Sequence, residues 1–212
     1  MPTAREALLD AAVSALTARP WSAVRMVDVA AAAGVSRQTL YNEFGSKEGL
    51  ARALVRREAD IYLRGVDRVL AERVGPADRL VALVEWTVRS ARTSALIRAL
   101  LTGCRDERLP APRAPRTLGA HSPVPAQRRA DAGVPGPSEL VATVRDRSLA
   151  ALEKELPGAE PGELARCCET VVRLALSYVV APDPGPPAGP GGTGHAAHVR
   201  AVLARTPVRP AL

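Results

Sequence analysis

The sequence predicts an all-α chain, with three short helices leading and a larger helical bundle behind. Three observations carry that expectation. Apolar residues recur at helical spacing almost throughout. No run of alternating β-branched residues stands between turn signals. The gaps between apolar stretches hold proline, glycine and capping serine, the residues that stop and start helices. With 212 residues, and about 150 per domain, one or two domains are expected, with enough chain for a real core. A hydrophobic content of 47% excludes global disorder.

The first helix is expected over about Ala4–Ala18, with Ala7, Leu8, Ala11, Ala12, Ala15 and Leu16 on one face. Arg19-Pro20 stops it, because proline disfavours helix in the residue before it and has no N–H to donate. A second, short helix covers about Met26–Ala33 and ends at Gly34; a third follows Ser36, a good N-cap, and runs to Phe44-Gly45. A fourth opens after Ser46 and extends to about Val74, ahead of Gly75-Pro76. Pro76 suits the first turn of a fifth helix carrying Leu80, Leu83, Val84, Trp86 and Val88, and a shorter sixth covers Ser94–Cys104. Composition then changes: seven prolines between Pro110 and Pro137 predict a long irregular loop. Helix resumes over Glu139–Leu156 and, after Pro161-Gly162, over Glu163–Val180. A Pro/Gly-rich stretch, Ala181–Gly194, precedes a last helix at His195–Arg205.

The net charge of +7 invites a nucleic-acid partner, but its distribution matters more than its sum. Residues 1–50 set five cations (Arg5, Arg19, Arg25, Arg37, Lys47) against five acids (Glu6, Asp10, Asp28, Glu43, Glu48). An electrostatic case for that region therefore rests on where its few cations point. No stretch reaches the roughly 18 uncharged apolar residues that span a bilayer, and Met1–Asp10 lacks a basic region followed by an apolar run. Three cysteines (Cys104, Cys167, Cys168) are an odd number and too few for a disulfide scaffold. A cytoplasmic setting with no membrane partner is expected.

The informative stretch is Met26–Phe44, MVDVAAAAGVSRQTLYNEF. Two helices joined by a tight turn, with the second presented outward, need three things: a small residue where they touch, a turn residue tolerant of positive φ, and an apolar anchor underneath. Ala30, Gly34 and Leu40 supply these at helix-turn-helix spacing, with Val29 and Val35 as further inward contacts. At about 100° per residue, Leu40 and Phe44 share the buried side of the third helix. Gln38 and Asn42 then point almost opposite, with Thr39 and Tyr41 on the flanks and Arg37 in the first turn. In a major groove, Arg pairs with guanine O6/N7 and Gln or Asn with adenine N6/N7, while flanking hydroxyls suit phosphate oxygens. Ser46-Lys47 opens the fourth helix, where free N–H groups and the positive helix end favour phosphate, and Arg25 lies just ahead of the second helix.

Over Arg5–Leu54 the chain resembles the tetracycline-repressor (TetR) family of bacterial regulators, most specifically in VDVAAAAGVSRQTLYNEFGSKEGL, Val27–Leu50. The resemblance implies a DNA-binding domain at residues 1–48 and a helical ligand-binding and dimerisation domain at 49–212, with Pro-rich loops at about 110–137 and 181–194. It implies that Tyr41 and Lys47 hold phosphates and that Arg37, Gln38 and Asn42 approach bases. Ser36, Thr39 and Arg25 complete the expected DNA-binding set, although members usually carry threonine or serine where this chain has Arg25. The implied partners are double-stranded operator DNA, a small-molecule effector and a second copy of the chain, paired through the helices at Glu163–Val180 and His195–Arg205. Leu83, Trp86, Cys104, Leu174 and Tyr178 are the candidate effector-binding residues, since a cavity between bundle helices would recruit such side chains.

Other candidates weigh less. Cys167-Cys168 is expected as buried filler, because neighbouring helical residues point about 100° apart. His195-x-x-His198 shares a helix face but has no third ligand nearby, and His121 has no assigned role. No Gly-rich phosphate loop, Ser/His/Asp set or carboxylate pair appears, so no catalytic residue, cofactor or metal is expected. The expected function is a sequence-specific transcriptional regulator, a ligand-responsive repressor. Two rivals remain: a DNA binder with no effector, and an enzyme or metal-binding module in the C-terminal half. Effector-induced loss of operator binding separates the first, and substrate turnover the second.

Overall fold

The computed structural model describes residues 3–104, 106–111, 134–156, 158–182 and 194–205; the greater part of the Pro-rich stretches at 110–137 and 181–194, and His121, lie outside them. Among the described residues there are nine α-helices and no strand. In chain order they are α1 (Ala4–Ala18), α2 (Met26–Ala32), α3 (Arg37–Phe44), α4 (Lys47–Leu70), α5 (Pro76–Thr93), α6 (Ala95–Thr102), α7 (Pro137–Leu152), α8 (Pro161–Val180) and α9 (Gly194–Arg205). A single 3₁₀ turn, Trp21–Ala23, links α1 to α2. The chain divides into two compact units. Of the described residues, the first takes those up to Ala59 together with those from Cys104 to Pro135; the second takes Asp60–Gly103 and those from Gly136 on. α4 contributes to both.

In the first unit α1 packs on α2 and α3, and its core is Leu8, Leu9, Ala12, Val24, Val29, Ala30, Leu40, Phe44, Leu50 and Leu54. α1 starts on a capping box: the Thr3 hydroxyl accepts from the Glu6 N–H (3.2 Å) and the Glu6 carboxylate accepts from the Thr3 N–H (2.8 Å). The Thr3 N–H and the Thr3 hydroxyl (3.1 Å) both donate to that carboxylate and hold the Glu6 carboxyl below its ordinary pKa. α2 ends one residue earlier than its spacing suggests, because the chain turns at Gly34. There the Val35 N–H donates to the Ala30 carbonyl (3.0 Å) and the Gly34 N–H to Ala31 (3.1 Å). That pattern needs a left-handed residue between the helices, and Gly34 sits at φ 67°.

In the second unit α5 is central, with α6, α8 and α9 against it and α7 against α8. Its hydrophobic cluster runs from Tyr62 and Val66 on α4 through Leu80, Leu83, Val84 and Val88 to Leu164, Val171, Val172 and Val199. Tyr62 and Thr87 pair their polar groups inside it, whereas the buried Ser90 hydroxyl of α5 has no hydrogen-bond partner among the described residues. The Tyr62 hydroxyl lies 3.0 Å from that of Thr87, which itself donates to the Leu83 carbonyl (2.8 Å). Burial pushes the Tyr62 phenol up to about 12.

Four further boundaries, on α4, α7 and α8, depart from the expected ones. α4 stops at Leu70 and not near Val74, because the Arg79 guanidinium takes the Glu72 carbonyl (2.7 Å) and bonds Glu155 (2.6 Å). α7 and α8 each begin two residues early, on Pro137 and Pro161, which occupy first-turn positions where a missing N–H costs nothing. α7 also closes at Leu152, short of Leu156.

Candidate nucleic-acid interface

α3 is set by its two ends. Ser36 caps it, its hydroxyl accepting from the Thr39 N–H (3.0 Å) and lying 2.8 Å from the Thr39 hydroxyl. Gly45 closes the other end. Leu40 and Phe44 lie 0% and 2% exposed beneath the helix, and the Arg5 guanidinium sits 4.8 Å from the Phe44 ring. The opposite edge is the one the sequence picks out by angle. Arg37, Gln38, Tyr41 and Asn42 are all exposed, and Thr39 is half-buried. The Gln38 amide N–H donates to the Asn42 carbonyl oxygen (2.8 Å), one helical turn away. This bond leaves the Asn42 amide N–H groups, the Gln38 carbonyl oxygen and one Gln38 N–H facing outward.

The remaining expected contacts flank this edge. Arg25 is the N-cap of α2; it is exposed and makes no side-chain cap bond, while its carbonyl accepts from the Asp28 and Val29 N–H groups. Lys47 opens α4 beside Ser46, whose hydroxyl accepts from the Gly49 N–H (3.1 Å). The Lys47 ammonium donates to the Ser22 carbonyl (3.1 Å) and stands 5.3 Å from the Trp21 ring centroid. Partial burial there draws its pKa below the ordinary lysine value. Sequence reasoning missed both neighbours of Lys47. The available signal was a tryptophan in a three-residue turn.

The chain is matched over residues 8–54 by the model of the family described as "Bacterial regulatory proteins, tetR family". The uncharacterized HTH-type transcriptional regulator MT1294 of Mycobacterium tuberculosis (strain CDC 1551 / Oshkosh) is 34% identical over 179 residues, covering 84% of this chain and 76% of that one. The chain belongs to the TetR family. A further likeness is to the HTH-type transcriptional regulator AlkX of M. tuberculosis (strain ATCC 25618 / H37Rv). It is 49% identical over 71 residues, and the match spans 34% of each protein. A TetR/AcrR-family transcriptional regulator from Thermobifida fusca shares the fold, with a TM-score of 0.54 over 94% of both chains at 18% identity.

Four of the five residues expected at a TetR effector site come together in the second unit. Leu83 and Tyr178 belong to its buried cluster, and Trp86 and Leu174 pack against it. Trp86 is tied to α4: its indole N–H donates to the Tyr62 carbonyl (3.1 Å) and the Arg68 guanidinium covers its ring at 4.9 Å. Tyr178 bonds His198 through its hydroxyl (2.6 Å to Nδ1) and meets the His195 ring edge-on at 4.2 Å. The histidine pair thus faces a tyrosine, a contact twenty residues away that spacing alone does not reveal. Cys104 does not join the other four. It is exposed, and its segment groups with the first unit because the chain turns out of α6 at Gly103. Cys167 and Cys168 are buried filler as expected, and burial raises the Cys168 thiol to about 12. A groove of about 280 Å³ between α7 and α8 is lined by Val141, Ala142, Arg145, Glu169, Arg173 and Leu176, none of them foreseen. Among the described residues no group of three His, Cys, Asp or Glu side chains is placed to hold a metal, and no helix is long and apolar enough to cross a membrane.

Proposed function

We propose that this TetR-family protein is a cytoplasmic, homodimeric repressor that reads a near-palindromic operator and releases it on binding a small molecule. The observation that carries the reading is the outward edge of α3, with Gln38 and Asn42 exposed and already bonded while Leu40 and Phe44 are buried beneath. Each protomer sets α3 into a major groove, where Arg37, Gln38 and Asn42 meet base edges. Arg25, Ser36, Thr39, Tyr41 and Lys47 hold phosphates on either side and fix register. The bond between the Ser36 and Thr39 hydroxyls uses only one of their two O–H groups, so the other is left to donate to a phosphate oxygen while the cap stays intact.

The effector enters the second unit beside α5 and α8, at Trp86, Leu174 and Tyr178, with Leu83 behind. Trp86 grips α4, and α4 is one continuous helix from Tyr62 back to Lys47, so a shift of α5 changes the setting of the reading heads. The two copies pair through α8 and α9. An effector with about 1–3 kcal/mol of differential affinity weakens operator binding about 5- to 150-fold. In-vitro selection of bound duplexes followed by footprinting tests the reading. Two protected half-sites related by a two-fold axis are expected, and protection of a single unsymmetrical site contradicts the dimer.

A further inference from the structure

Trp21 occupies a place where a large aromatic has little to do for the core. It opens a three-residue turn whose next two residues, Ser22 and Ala23, are exposed. The turn is nonetheless held firmly. The Ala23 N–H donates to the Pro20 carbonyl (2.9 Å) and the Val24 N–H to that of Trp21 (3.1 Å). The Trp21 N–H donates to the Arg108 carbonyl (2.8 Å), and Arg108 lies in a turn closed by Asp106, whose carboxylate accepts from the Arg108 N–H (2.9 Å). The indole and the Ser22 carbonyl both face the Lys47 ammonium, within the roughly 6 Å at which a ring face attracts a cation. An ammonium has three N–H donors, and the Ser22 carbonyl takes one.

We propose that Trp21 is a positioning residue for DNA binding, its ring and the neighbouring Ser22 carbonyl holding the Lys47 ammonium ready for a backbone phosphate at the start of α4. The inference rests on the reading of Lys47 as a phosphate contact. A lysine on an exposed helix end is a flexible chain, and ordering a side chain of that kind on binding costs about two- to tenfold in affinity. Trp21 removes that cost before DNA arrives. It also keeps the ammonium beside the turn that leads to Arg25.

The test measures affinity against salt concentration for a duplex selected with the unaltered protein. Lys47→Ala is expected to lower the slope of log affinity against log salt by about one. Trp21→Phe keeps a ring face and is expected within about twofold of the unaltered protein, whereas Trp21→Leu is expected to weaken binding about two- to tenfold. In the Lys47→Ala background Trp21→Leu is expected to add nothing. Equal losses in both backgrounds, or no loss with Lys47 present, overturn the inference and leave the phosphate reading of Lys47 standing. An unchanged slope on Lys47→Ala overturns both. Should Trp21→Leu fail to fold, site-specific incorporation of fluorinated tryptophans at position 21 decides, since these keep the shape and weaken the negative ring face. Affinity falling with each fluorine supports the role, and a flat series overturns it.

Discussion

α3 and α5 are both amphipathic helices over an apolar floor, yet they place their polar groups in opposite ways. α3 turns its polar residues to solvent, as the Gln38–Asn42 bond and the exposed Arg37 and Tyr41 show. α5 turns several inward: Thr87 bonds Tyr62 and Leu83, and Trp86 bonds the Tyr62 carbonyl. A surface that reads DNA must leave donors and acceptors unfilled, because base edges supply the partners. An interior gains by filling them, because an unpaired buried group costs about 1–3 kcal/mol, and on α5 only the Ser90 hydroxyl is left unfilled among those described. The contrast separates an edge left open to partners from an interior closed by packing.

The largest effects should come from the floors. Leu40→Ala and Leu83→Ala remove fully buried side chains and are each expected to lower stability by about 2–5 kcal/mol, read from urea midpoints. Compared at equal folded fraction, only Leu40→Ala should lose DNA binding; equal losses would erase the distinction between the regions. Next comes Gly65→Ala, whose Cβ would lie 2.0 Å from the Trp86 ring. The overpacking should cost about 1–3 kcal/mol in stability and, by moving Trp86 against α4, should weaken binding to every duplex alike without changing which base pairs are preferred. Gln38→Ala should do the reverse. It is expected to keep stability within about 0.5 kcal/mol while losing about 1–3 kcal/mol of discrimination at one base pair in each half-site, read by repeating the selection.

Tyr62→Phe should give the smallest change, about 1 kcal/mol at neutral pH, since Thr87 keeps its bond to Leu83. Its signature is alkaline. Tyr62 ionises at 10.0 when unfolded and at about 12 when folded. The stability held by the neutral phenol is therefore whole below pH 10.0 and lost as the pH rises through about 12. Stability of the unaltered protein should fall across that window more steeply than that of Tyr62→Phe, and parallel curves would contradict the buried phenol.

Local features were legible in the sequence. Gly34 between α2 and α3, Ser36 as the cap of α3, and Leu40 with Phe44 below Gln38 and Asn42 all follow from spacing within a few turns of one chain segment. What escaped was long-range or two-sided in meaning. Pro137 and Pro161 are equally at home in a loop and in the first turn of a helix, and only the packing of α7 and α8 decides. The early end of α4 depends on Arg79 reaching back to Glu72 and across to Glu155. The company Lys47 keeps depends on a carbonyl 25 residues earlier. In the effector region the pairing of Tyr178 with His198, and the exposure of Cys104, depend on how helices dock, which periodicity does not encode.

The claim that the polar edge of α3 lies against DNA is tested most directly by tethered cleavage. An iron chelate attached through Asn42→Cys, in a chain whose exposed Cys104 is replaced by serine, is bound to the selected duplex and the strands are mapped. Cuts clustered in two major-groove windows related by a two-fold axis are expected, with none from the same chelate carried at the exposed Val180 of α8. Absence of clustered cuts from position 42, or the same pattern from both positions, would contradict it.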